Sequence, residues 1–96
     1  MLLEVITPDE MLFKGNVSHV VLPGLDGSFG VLSNHAPMIS ALKEGEMKVE
    51  QVIEENKGEE CDGKYNEEHK NDQMFTFTIK GGVMEVKDNK IMVLAE

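Results

Sequence analysis

The sequence predicts an all-β fold, a small antiparallel sandwich or barrel, and three observations carry that prediction. Apolar residues recur with a period of two through most of the chain. Turn-forming clusters (TPDE, PGLDG, SNHAP, KEG, KGG and KDNK) punctuate those runs at short intervals. No stretch of the required length shows a clear helical stripe, so many short strands must share one core.

Taken in order, LLEVIT alternates Leu3 and Val5 against Glu4. In NVSHVVLP the same rule sets Val17, His19 and Val21 on one face and Ser18, Val20 and Leu22 on the other. GEMKVEQVIEENK fits two patterns: Val49, Val52 and Ile53 have helical spacing, whereas Met47, Val49 and Ile53 suit a strand. The strand that frays into a loop is the preferred reading, with Gly45 as the turn of a hairpin from ISALK. MFTFTIK is the cleanest strand, with Phe75, Phe77 and Ile79 opposed to Thr76 and Thr78. KIMVLA is apolar on both faces and suits a strand covered on both sides.

Residues 54–73 have a different composition. Eight acidic residues stand against three lysines there, a net −5 of the chain's −9. Only Cys61 and Tyr65 offer apolar surface to a core, so a solvated, flexible loop dispensable for folding is expected. The whole chain, residues 1–96, is expected to form one domain interrupted by this acidic insert.

Composition also bounds function. Ninety-six residues build a modest core with little volume to spare for a deep active site. The net charge of −9 and the absence of arginine oppose a nucleic-acid or anionic-membrane surface. Cys61 is the single cysteine, which allows no internal disulfide. MLLEVITPDE has no basic start and carries Glu4 within its apolar run, unlike a signal peptide, and no window approaches a membrane span. A soluble protein on the cytosolic side is expected.

Each candidate for chemistry meets an objection. GLDGSFG, with Gly24, Gly27 and Gly30, lacks the following lysine and the strand–loop–helix context of a phosphate cradle, so these glycines read as turn formers. His35 lies near Asp26, Ser28 and Ser33 in sequence, but a triad needs spatial orientation, and a loop histidine bonding its own turn is the simpler reading. Cys61, Asp62, Glu67, Glu68 and His69 lack zinc or calcium ligand spacing. Lys48, between Met47 and Val49 in an acidic context, resembles the attachment lysine of a biotinyl or lipoyl carrier domain. Such a lysine must occupy the tip of a tight turn, whereas Lys48 follows the Gly45 turn. No catalytic residue, cofactor site or metal site is expected. Recognition of another protein is the function that remains.

A set of residues in fixed order then narrows the reading: Thr7-Pro8, Phe13, Gly15, Val17, Leu22-Pro23-Gly24, Gly27, Gly30-Val31-Leu32, His35-Ala36-Pro37, Ala41-Leu42, Gly45, Gly81-Gly82 and Val93-Leu94-Ala95. Over residues 2–53 and 74–96 this frame resembles the epsilon chain of F-type ATP synthases, called delta in mitochondria. The resemblance implies a β-sandwich of about ten short strands and a non-catalytic place in the rotor's central stalk, against the gamma subunit and the c-ring of the F1 assembly. Its role would be to fix gamma to the ring so that proton-driven rotation supports ATP synthesis, peripheral to the cytoplasmic face of a bacterial inner membrane. Carried over by position, a loop containing Asp26, Gly27, Ser28, Phe29, Ser33, Asn34 and His35 would face the ring and gamma. Ser28 stands where many relatives are acidic, and Ser33-Asn34 replaces Pro-Gly, a change that a positive φ at Asn34 would accommodate. The acidic insert has no clear counterpart. The sequence ends at Glu96, where the family's C-terminal helical hairpin would begin, so the chain is expected to couple rotation without inhibiting hydrolysis. A free-standing β-sandwich adaptor is the other protein-binding alternative.

Overall fold

The computed structural model describes residues 1–56, 63–69 and 71–96. Among these, eight strands follow one another: β1 (Leu2–Ile6), β2 (Met11–Gly24), β3 (Gly27–Leu32), β4 (Met38–Leu42), β5 (Gly45–Gln51), β6 (Met74–Ile79), β7 (Gly82–Lys87) and β8 (Lys90–Ala95). Two helical turns, α1 (Ile53–Asn56) and α2 (Lys64–Glu68), lie between β5 and β6. The all-β class expected from the period-two pattern is the one found. Among the described residues the strands number eight, and residues 11–24 run as one strand of 14 residues through both layers.

That long strand organises the molecule. Its first half pairs with β1, its second half pairs with β3 on one side and β5 on the other, and its end touches β4 through Gly24 and Leu42. One layer is therefore β4–β7–β8–β1 with the start of β2, and the other is β3–β2–β5–β6. All pairings are antiparallel except β1 with β8.

β2 also breaks the predicted alternation. Val17 pairs with Gln51 and His19 with Glu50, so Ser18 is an extra residue opposite no partner. A bulge of this kind shifts side-chain parity by one. Val17, Val20 and Leu22 consequently all point inward and are fully buried, while His19 and Val21 are half-buried on the outer face.

The core lies between the layers, with Leu3, Val5, Phe13, Met47, Val49, Met84, Ile91 and Val93 without solvent contact. β6 shows the expected register, Phe75, Phe77 and Ile79 in and Thr76 and Thr78 out. Residues 45–51 form the expected strand. However, β4 and β5 are not a hairpin pair: β4 pairs with β7, and β5 pairs with β2 and β6. Residues 43–44 thus carry the chain from one layer to the other, held where Lys43 N–H donates to Pro23 C=O at 2.9 Å. KIMVLA is covered on one side only, since Leu94 is 52% exposed.

At its described residues the 54–73 stretch also differs from a solvated loop. Tyr65 stacks on Phe77 with ring centroids 4.6 Å apart, and His69 stacks on Phe75 at 4.4 Å. Buried Gln51 donates from Nε2 to the carbonyls of His69 and Asp72 at 2.8 and 2.9 Å. Asn66, 6% exposed, bonds the backbone of Lys14. Composition misled here because the docking uses aromatic faces and side-chain amides rather than aliphatic bulk. Cys61 and Asp62 lie outside the described residues.

Candidate partner-binding surfaces

The residues expected to form one contact loop do not form a loop. Gly27 to Leu32 is strand β3, paired with Gly24 back to His19. At roughly 3.3 Å per residue the strand separates its ends by about 17 Å. Asp26, Gly27 and Ser28 lie at one end and Ser33, Asn34 and His35 at the other.

At the first end, Leu25 and Asp26 form the turn between β2 and β3, with Gly27 at φ +125°, a conformation that favours glycine. Phe29 leans back over Gly24, so closely that a Cβ on Gly24 would stand 2.8 Å from its ring. Phe29 is thereby committed to packing against the core, while Leu25, Asp26 and Ser28 are exposed.

At the second end, Asn34 takes φ 63°, the positive φ expected there from the sequence. His35 Nδ1 lies 2.8 Å from the carbonyl of Ala36. A carbonyl only accepts, so this nitrogen carries the proton and the ring braces its own loop. Of the other residues considered for a triad, Ser28 and Asp26 are at the far end of β3, and Ser33 at the near end bonds Asn89 Oδ1 from its hydroxyl at 3.5 Å. Sequence reasoning missed the loop's tether: Asn34 N–H donates to Oδ1 of Asn89 at 2.8 Å. Asn89 belongs to the β7–β8 turn, with φ 52° at Asp88 and 59° at Asn89. The KDNK cluster signalled that turn but not the reach of its side chain.

Lys48 sits within β5, with Val21 on one side and Thr76 on the other, not at a hairpin tip. Among the described residues no three His, Cys, Asp or Glu side chains gather as a metal set.

The two outer faces differ. On β3–β2–β5–β6 the outward residues include His19, Glu46, Lys48, Glu50, Thr76 and Thr78. On β4–β7–β8–β1 the register aligns Ala41, Val83, Leu94 and Ile6 in one row across four strands. Beside it runs Ile39, Glu85, Met92 and Glu4. Ile39 is 71% exposed and Val83 45%. Next to Ile39 a groove of about 370 Å³ opens between Pro37, Met38 and Val86. Glu4 closes the far side of the face, ion-paired to Lys14 at 3.8 Å and Lys90 at 3.6 Å. The sequence signal for this surface was the two-sided apolarity of KIMVLA, whose second side is left open.

The described residues thus form an all-β sandwich with one apolar outer face and exposed turns. Its family is given by comparison with known proteins. The profile of the family described as "ATP synthase, Delta/Epsilon chain, beta-sandwich domain" matches residues 1–60, and the chain belongs to that family. It is 36% identical over 94 residues to the ATP synthase epsilon chain of Desulforamulus reducens, covering 98% of this chain and 57% of that one. Identity to the epsilon chain of Pelotomaculum thermopropionicum is 40% over 93 residues, covering 97% and 55%. For that of Chlorobium limicola it is 34% over 94 residues, covering 98% and 86%. The chain thus spans a little over half the length of the first two relatives. Its fold matches a chain in the Euglena gracilis mitochondrial ATP synthase structure of OSCP, F1 and c-ring, with a TM-score of 0.74, 20% identity and coverage of 99% and 49%. It also matches one in the Tetrahymena thermophila mitochondrial ATP synthase central stalk and c-ring, with a TM-score of 0.68, 18% identity and coverage of 99% and 62%.

Proposed function

We propose that this chain is a non-catalytic rotor component of an F-type ATP synthase, joining the gamma subunit to the c-ring within the F1 assembly. The observation that carries the reading is the apolar row Ala41–Val83–Leu94–Ile6 on an outer face of a sandwich belonging to the delta/epsilon family. Burial of such a row against a partner yields about 25 cal/mol per Å² of apolar area, less the cost of association. A sheet face also transmits torque better than a flexible loop, because its side chains are fixed by ladders on both sides.

The two ends of β3 supply further contacts in this reading. The Asp26–Ser28 turn and the Ser33–His35 loop are too far apart for one partner loop to engage both, which suits a subunit wedged between two partners. Coupling proton-driven rotation to synthesis then needs only rigidity and attachment. The chain would sit at the cytoplasmic face of the bacterial inner membrane through the complex, with no ligand of its own.

Co-purification with gamma tests the reading. Val83→Asp with Leu94→Asp places two charges on the apolar row, where neither side chain supports the core. The double variant should stay folded and lose gamma binding by at least about thirtyfold, consistent with hot-spot losses of about 2 kcal/mol or more. Undiminished binding would move the interface off this face. Failure of the unsubstituted chain to bind gamma would favour the free-standing adaptor.

A further inference from the structure

The chain contains two Asp-Gly pairs, Asp26–Gly27 and Asp62–Gly63. Such a pair is open to a reaction of its own, because glycine leaves its backbone nitrogen unshielded by a Cβ. The glycine nitrogen attacks Cγ of the preceding carboxylic acid. A C–N bond forms, and the acid's hydroxyl leaves with the amide proton as water. Water then opens the five-membered imide at either carbonyl. Opening at the former main-chain carbonyl leaves the chain running through Cβ and Cγ, an isoaspartyl link with one more backbone atom. No atom is gained or lost overall, and water is the sole co-reactant.

The fold treats the two pairs differently. Asp26 is exposed in the two-residue turn between β2 and β3, and Gly27 closes the ladder opposite Gly24. Freeing Gly27 N–H therefore opens no more than the last pair of a strand ladder, an opening that costs little. Gly27 stands at φ +125°, and even a Cβ there would meet nothing within 4 Å, so no neighbouring atom crowds this residue. Gly63 is instead buried. A Cβ on it would stand 2.6 Å from Phe13 Cα and 2.7 Å from Leu12 O, and would press on Asn66 Oδ1. Its carbonyl accepts from Asn66 N–H at 3.0 Å, and α2 beyond it is fastened by the Tyr65–Phe77 stack. Asp62 itself lies outside the described residues, but turning the Gly63 nitrogen onto its carboxyl requires the start of α2 to leave Phe13.

We propose that Asp26–Gly27 is a site of spontaneous isoaspartate formation in the folded protein, and that the docking of Gly63 shields Asp62–Gly63 from the same reaction. The chemistry is independent of the rotor reading; only its consequence rests on it. The extra backbone atom falls in the turn between the paired residues Gly24 and Gly27, so it remakes one of the two ends of β3 offered to a partner.

The test ages the full chain at neutral pH, natively and in guanidinium chloride, and maps the tryptic fragments 15–43 and 58–64, which carry one Asp-Gly pair each. Isomerisation leaves a fragment's mass unchanged, alters its chromatographic retention and makes it a methyl acceptor for protein isoaspartyl methyltransferase. Deamidation of Asn16 or Asn34 raises the mass and is scored apart. In guanidinium chloride both pairs should isomerise at comparable rates. In the native chain 15–43 should isomerise at least about tenfold faster than 58–64. Asp26→Glu, which would have to close a six-membered imide, should abolish the native signal in 15–43. Native rates that are equal or favour Asp62, an Asp26 that isomerises only in guanidinium chloride, or a native signal that survives Asp26→Glu would each overturn the proposal. No gamma subunit enters the assay, so its failure and that of the rotor reading are separate.

Discussion

Gly63→Ala distinguishes a docked segment from a solvated one by the sign of its effect. Gly63 precedes α2 with φ −75° and ψ 150°, angles that alanine adopts freely. In a solvated loop the substitution would only narrow the unfolded ensemble and stabilise the protein by about 0.4–1 kcal/mol. In the structure, however, a Cβ at this position would stand 2.6 Å from Phe13 Cα and 2.7 Å from Leu12 O, and would press on Asn66 Oδ1. Two of those contacts are backbone of a central strand, so α2 must move. Losing the Tyr65–Phe77 stack costs about 0.5–1.5 kcal/mol, and losing two hydrogen bonds of a buried amide costs roughly 1 kcal/mol each. The expected outcome is destabilisation by about 2–4 kcal/mol, a large part of a small domain's total. Urea unfolding measures it, with an unchanged slope confirming that compactness is preserved. A variant as stable as wild type, or more so, would refute the docking argument and restore the solvated loop.

Other outcomes follow from single contacts. Phe77→Ala should cost about 3–5 kcal/mol by calorimetry or urea unfolding, while Thr78→Ala on the outer face should stay within about 0.5 kcal/mol; equal small effects would place the β6 register one residue off. Asn89→Gly keeps a residue suited to φ 59° but deletes the acceptor for Asn34 N–H. It should leave global stability within about 1 kcal/mol while speeding amide exchange at Asn34, and exchange at the wild-type rate would show that the loop holds itself.

How much of this was legible depends on which interactions carried it. The strand pattern was read correctly wherever a strand is regular, as in LLEVIT and MFTFTIK, because burial on one face imposes period two directly. It failed at Ser18, where a bulge shifts the parity of one strand and no residue type in NVSHVVLP announces an extra position. It failed again at KIMVLA, since an apolar outer face looks the same in sequence whether a second layer or a separate protein covers it. The described part of residues 54–73 departs from the solvated-loop expectation for a third reason: Asn56 and Asn66 are ordinary loop residues by composition, and only the geometry shows that they complete the backbone bonding of β2. Hydrophobic content predicts which segments make a core, not which polar segments a core's edges require.

The residues expected to make partner contacts follow the same logic. A family resemblance transfers positions, and from Asp26 to His35 the structure leaves all but Gly27, Phe29 and Val31 exposed. The resemblance could not convey that β3 holds the two groups apart. That separation changes the mechanical argument. If both groups lay on one loop, the subunit would hang from its partners by a flexible arm, and rotation of one partner would first bend the arm. With the groups at opposite ends of a strand paired to β2, a load applied at Asp26 is carried to His35 through covalent backbone and the β2–β3 ladder. Asn89 then ties the His35 end to β7 and β8, the strands that carry Val83 and Leu94. The Ser33–His35 loop and the apolar face are therefore braced to one another, which is what the proposed rotor role would require.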